Sequence, residues 1–123
     1  MPIKLVVASH NQNKVKEFQE MLGDDFDLAP LGSDDVEPEE TGSTYYENSL
    51  IKAEAAALDY PNTYVVADDS GVEIEALDGG PGIYTARYPD ENASVQENSV
   101  ATMASLVLED NRRATYQCCL VLI

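Results

Sequence analysis

The chain has 123 residues, enough for one domain, and 44% of them are hydrophobic, enough to build a buried core. Seven basic residues against 23 acidic ones leave a net charge of −16, which excludes attachment to nucleic acid or to an anionic membrane through bulk charge. No segment approaches the roughly 18 apolar residues that a spanning helix needs, and Met1-Pro2-Ile3-Lys4 does not read as a secretory leader, so no membrane partner and a cytoplasmic location are expected.

Ile3–Ala8 predicts a buried strand, and Ser9–Asn13 a polar turn. From Lys14 the spacing of Val15, Phe18, Met21 and Leu22 predicts a helix that Gly23 stops. Phe26–Leu31 reads as a second strand, and Gly32–Gly42 as an acidic loop. Thr44 and Glu47 form a capping-box pattern for a second helix, with Ile51, Ala55 and Leu58 as its inner face. Tyr64–Ala67 reads as a strand, Asp68–Gly71 as a turn or bulge, Val72–Ala76 as a half-exposed strand, and Asp78–Gly82 as a loop. Ser94 and Glu97 make another capping box, opening a helix that turns Val95, Met103, Leu106 and Val107 inward. Asn111–Arg113 is a turn and Ala114–Ile123 a last strand, whose apolar end suits a larger architecture or a surface covered by another chain. The order β-α-β-α-β-β-α-β predicts an α/β fold, a mixed sheet flanked by helices, as a single domain over residues 1–123.

Adjacent Cys118 and Cys119 would point to opposite faces of a strand, so they read as small core residues, not a disulfide. Asn92-Ala93-Ser94 fits a glycosylation sequon, which without a secretory leader reads as chance. The excess of carboxylates suits either a high-salt source or an ordinary acidic protein.

Three features could carry chemistry. The polar turn Ser9–Asn13 enters a helix N-terminus and is followed by Lys14, so it could cradle phosphates, or simply cap a helix. It contains no glycine and is neither a Walker loop nor a dinucleotide fingerprint. Asp68 and Asp69 leave a buried strand where α/β folds place ligands, and could hold magnesium or merely build a turn. Glu40 could be a second magnesium ligand, and Lys52, not at helical spacing from Glu47, is expected to be free to reach a phosphate. The lone His10 reads as a turn residue.

These residues, in their order and spacing, resemble the inosine/xanthosine triphosphate pyrophosphatases, which remove non-standard purine nucleotides. Four blocks carry the resemblance: Ala8–Lys14 with Glu17 and Phe18, Glu40–Asn48 with Lys52 and Ala53, Ala67–Gly71, and Gly79–Tyr88; Ala114–Cys118 fits the family's next strand. The resemblance implies the first lobe of that fold, a homodimer, and magnesium-dependent hydrolysis of a nucleoside triphosphate to the monophosphate and pyrophosphate. It implies that Ser9, Asn11, Lys14, Lys52 and Ser70 contact substrate, that Glu40 and Asp69 hold magnesium, and that Asp69 also helps to activate water. Asp68 would be a supporting carboxylate, and Gly79–Gly82 a loop near the dimer interface. The family's base-recognising blocks have no counterpart in the sequence, which leaves three expectations open: a minimal protein that dimerises to complete its pocket, part of a longer chain, or a fold retained without catalysis.

Overall fold

The computed structural model describes residues 1–88 and 94–123; Asn92 and Ala93 of the sequon and the side chain of Val95 lie outside what it describes. Within these bounds the chain runs β1 (Ile3–Val7), α1 (Gln12–Leu22), β2 (Phe26–Ala29), α2 (Tyr45–Asp59), β3 (Tyr64–Ile74), β4 (Gly80–Pro81), α3 (Val95–Ser105) and β5 (Ala114–Leu122). It is the mixed α/β architecture that the element order predicts. The chain divides into two compact units, Met1–Asp68 with Cys119–Ile123, and Asp69–Cys118.

In the first unit β1 lies between two parallel neighbours. Ile3 to Val6 pair with Phe26 to Ala29 on one side, and Leu5 to Val7 pair with Tyr64 to Val66 on the other. Val65 and Ile123 exchange both backbone bonds at 2.9 Å, which is an antiparallel pair and places β5 on the other edge of β3. Alternation along β1 and β3 sorts their side chains onto two faces. Leu5, Val7 and Val66 pack with Val15 and Phe18 of α1. Val6, Ala8, Val65 and Ala67 pack with Ala53 and Ala56 of α2 and with Leu31.

Several boundaries depart from the sequence reading, each for a local reason. Helix α1 starts two residues earlier because Asn11 caps it, accepting the N–H groups of Asn13 and Lys14 at 3.0 and 3.3 Å. Strand β2 ends at Ala29, before Pro30, which has no N–H to extend a ladder. Met21 is 72% exposed, so Val15 and Phe18 alone form the inner face of α1. In α2 the expected inner face is wrong. Leu58 is 84% exposed, and the buried residues are Asn48, Ser49, Ala53 and Ala56. Thr44 caps α2 as expected, but Glu47 reaches back to the N–H of Ser43, at 2.9 Å, in place of completing the box on Thr44.

In the second unit Asp69–Ile74 continues β3 without a break, so Asp68–Gly71 is neither turn nor bulge. Gly71 serves close approach: a Cβ there would lie 2.1 Å from the carbonyl oxygen of Gly82. Glu73 and Ile74 pair antiparallel with Pro81 and Gly80, so part of the expected Asp78–Gly82 loop is strand β4. Thr85 fastens the same place, accepting the N–H of Val72 at 3.0 Å and donating to the carbonyl of Gly82 at 2.6 Å. Residues Glu75–Leu77 form a 3-10 turn, which ends β3 before the expected Ala76. The Ser94 and Glu97 capping box is present, but of the expected inward residues of that segment Met103 and Val107 are exposed while Leu106 is buried. Cys118 is exposed and Cys119 half-buried, and neither forms a disulfide, so the expected core role fails for Cys118. Strand β5 keeps one edge of its ladder on β3 and buries little side-chain surface, which is why Cys118 stays at the surface.

Candidate functional site

The sheet order β2-β1-β3 reverses direction of travel at β1. Helix α1 leads away to one side and α2 returns the chain to the other. In open α/β sheets the crevice at such a switch point, beyond the carboxyl ends of the strands, is where ligands bind. Here β1 ends at Val7, and its parallel pairing with β3 ends at Val66, just before Ala67-Asp68, where the Ala8 N–H donates to the carbonyl of Val66 at 2.9 Å.

The turn after β1 is built by its own polar side chains. Ser9 Oγ accepts the Asn11 N–H at 3.0 Å, and Asn11 then caps α1. Ser9 and Asn11 therefore shape the turn, and two of the N–H groups expected to be open to an anion are held by Asn11. One turn into α1, Lys14 places Nζ 2.9 Å from Oδ1 of Asp68. On the other side of β3, Lys52 of α2 donates to the main-chain carbonyl of Asp68 and lies 2.9 Å from Oε1 of Glu40. The expectation that Lys52 stands free is corrected: its spacing from Glu47 does prevent that pair, but the loop folds Glu40 onto it instead. Asp68 is only 8% exposed, and it joins both lysines, one through its carboxylate and one through its backbone.

The loop that brings Glu40 is anchored from below. Gly42 donates its N–H to Oδ1 of Asn48 at 2.8 Å, and Asn48 is fully buried in the first turns of α2. A Cβ on Gly42 would lie 2.6 Å from the Cβ of Glu47, so the loop can close there only on glycine. Ser49, equally buried, donates to the carbonyl of Cys119 at 2.8 Å and ties α2 to β5. Neither Asn48 nor Ser49 was legible as an anchor, because polar residues early in a helix read as an exposed face.

The start of the same loop is held by His10. Its Nε2 is 3.0 Å from the carbonyl of Gly32 and its Nδ1 is 3.2 Å from Glu37 Oε2. Both partners are acceptors, so the imidazolium satisfies both; its pKa is raised, first by the Gly32 carbonyl and then by the Glu37 carboxylate. Asp35 accepts the Tyr60 hydroxyl and the Gly32 N–H, the latter at 2.7 Å; both bonds lower its pKa, and the bond to Asp35 raises that of Tyr60. His10 is a turn residue, as expected.

The structure thus brings Lys14, Lys52, Glu40 and Asp68 together, with Ser9 and Asn11 in the adjoining turn. Asp69 is buried in β3, and Ser70 shares a 3.2 Å hydrogen bond with Tyr116; both belong to the second unit. Two cations and a polar turn at the carboxyl edge of a parallel sheet suit a polyphosphate.

Residues 5–123 match the Ham1 family. The chain belongs to that family. It is 44% identical over 124 residues to a dITP/XTP pyrophosphatase of Vibrio vulnificus and 41% identical over 129 residues to one of an Exiguobacterium species, covering 98% of this chain and 62% of each relative. Its structure is similar to that of the Ham1 protein of Staphylococcus aureus, with a TM-score of 0.82 at 40% identity over 98% of this chain and 62% of that one. A HAM1 protein from Coxiella burnetii gives a TM-score of 0.84 at 34% identity, over 98% of this chain and 63% of that one. The chain therefore spans about 62% of the length of the curated relatives it matches.

Proposed function

We propose that this Ham1-family chain binds a nucleoside triphosphate carrying hypoxanthine or xanthine and hydrolyses it to the monophosphate and pyrophosphate. The observation that carries this reading is the gathering of Lys14 and Lys52 around Asp68 at the switch point. The names of the relatives support the substrate class.

Each lysine has three N–H donors. Lys14 gives one to Asp68, and Lys52 gives one each to Asp68 and Glu40, so both retain capacity for a phosphate oxygen. Their charge offsets the repulsion that an incoming nucleophile meets at a polyanion and stabilises charge developing on the leaving group. Ser9 and Asn11 set the path of the turn that meets the phosphates, and Ser70 is assigned a substrate contact. Water attacks the α-phosphorus, the bond to the bridging oxygen breaks, and pyrophosphate departs with the electron pair. Asp69 is the residue we assign to accept the proton of that water.

The donor chemistry fits magnesium brought with the nucleotide. Among the described residues no group of three His, Cys, Asp or Glu gathers into a cage. A hard cation that takes one or two carboxylates and completes its shell from phosphates and water is compatible with that. Glu40 and Asp69 would hold it, and when bound it would supply Lewis-acid polarisation of the phosphates. The 2.9 Å ion pair of Glu40 with Lys52 supports that assignment for Glu40. A homodimer and a cytoplasmic location complete the proposal; no helix among the described residues is long and apolar enough to cross a membrane.

The test is pyrophosphate release from ITP, XTP, GTP and ATP with magnesium, for wild type and Asp69→Asn, with oligomeric state recorded by sedimentation. Release from ITP and XTP should fall at least about a hundredfold in the variant. Nucleotide binding without release by folded wild type would reduce the chain to a binding module.

A further inference from the structure

We infer that Asp68 is a positioning residue which holds Lys14 in readiness for phosphate, so that affinity for a polyphosphate depends on a carboxylate of the same sign as the ligand. The inference rests on the proposed function for the identity of the ligand, and on the geometry of Asp68 for the role. A lysine has four rotatable bonds, and fixing it on binding opposes affinity. The Lys14 side chain is still 29% exposed, so it has room to sample other rotamers, whereas the Asp68 side chain is 11% exposed and stands on a strand whose backbone is paired. The 2.9 Å ion pair transfers the rigidity of β3 to the tip of Lys14. The same residue fixes Lys52 through its main-chain carbonyl, an interaction that no substitution at Asp68 removes. The two lysines reach it from opposite faces of the sheet, Lys14 from α1 and Lys52 from α2. Asp68 thereby sets the spacing between two cations that the sequence places 38 positions apart.

Repulsion between Asp68 and the phosphates opposes this arrangement. It is contained because the carboxylate keeps one Lys14 donor, leaving the others to the ligand. The opposite reading, in which Asp68 competes with phosphate for Lys14, predicts the opposite sign on removing its charge.

The experiment is calorimetric titration of inorganic triphosphate, with magnesium, into wild type, Asp68→Asn, Lys14→Ala and the double variant, all checked for folding by circular dichroism. Asp68→Asn should weaken binding about fivefold to tenfold when Lys14 is present and less than about twofold in the Lys14→Ala background. In ITP turnover by the same proteins, the loss should sit mainly in KM. Should Asp68→Asn fail to fold, Asp68→Glu, which keeps the charge but displaces it, carries the same comparison with a smaller loss. Equal losses in both backgrounds would assign Asp68 a merely structural role, and tighter binding by Asp68→Asn would make it a competitor; either overturns the inference. Wild type that binds triphosphate with the expected coupling but releases no pyrophosphate sinks only the proposed function. Wild type that binds no triphosphate sinks both.

Discussion

The two faces of β1 and β3 are packed by opposite strategies. On the α1 face the side chains are large: Val15 and Phe18 cover Leu5, Val7 and Val66. An open apolar groove of about 320 Å³ runs beside Phe18, Met21 and Leu22. On the α2 face the contacts are small, with Ala8, Ala53, Ala56 and Ala67 in the cluster, and two wholly buried polar residues, Asn48 and Ser49, lie in the same helix. Large side chains fill space and remove apolar area from water. Small ones let the helix approach closely enough for side-chain hydrogen bonds to reach the loop and the neighbouring strand. The α1 face is built to contribute stability. The α2 face is built to fix geometry, since Asn48 and Ser49 hold Gly42 and Cys119 at 2.8 Å each.

That contrast can be broken by substitution. Phe18→Ala should have the largest effect on folding, lowering stability by about 3 kcal/mol through lost area and an incompletely collapsed cavity. Urea unfolding would show it, while triphosphate affinity of the folded fraction should stay within about twofold. Asn48→Ala should cost less, about 1 kcal/mol, from the part-buried Gly42 N–H left without its acceptor. Its effect on function should be the larger of the two, because the loop carrying Glu40 loses its anchor. A rise in KM for ITP at least several times that of Phe18→Ala is expected. Comparable KM values for the two variants would erase the division of labour between the faces.

The same contrast explains what could be read in the sequence. The β1 and β5 strands and the α1 face are marked by runs or spacings of large apolar residues, and these predicted the elements to within a few residues. The α2 face is made of Asn, Ser and Ala, so hydrophobic periodicity pointed to Ile51, Ala55 and Leu58 instead. Strand β3 was divided because Asp-Asp-Ser-Gly carries a turn signal, whereas Gly71 is there to admit the backbone at Gly82, a contact 11 positions away in sequence. In the site, the residue types at Lys14, Glu40, Lys52 and Asp68 were legible. Their pairing was not, since the loop that sets Glu40 against Lys52 is positioned by a buried asparagine and by glycine sterics.

The smallest expected effect concerns the far end of that loop, which neither face packs. His10 and Asp35 hold Gly32 from two sides, His10 through the carbonyl and Asp35 through the N–H. Because the folded pKa of His10 is raised above 6.5, its contribution is fully present below that value and is lost as pH rises through the raised pKa. Asp35 runs the other way. Its folded pKa is lowered from 3.8, so its contribution is present above that value and is lost as pH falls through the lowered pKa. The loop should therefore be held best between about 3.8 and 6.5 and loosen as pH rises through the raised pKa of His10. Hydrogen exchange at the Gly32 and Asp35 amides, corrected for the intrinsic pH dependence, should show protection falling across the His10 titration, and His10→Gln should flatten that fall. Protection that declines identically in both proteins would show that the loop is held without the imidazolium, by the bonds that Asp35 accepts from Gly32 and Tyr60.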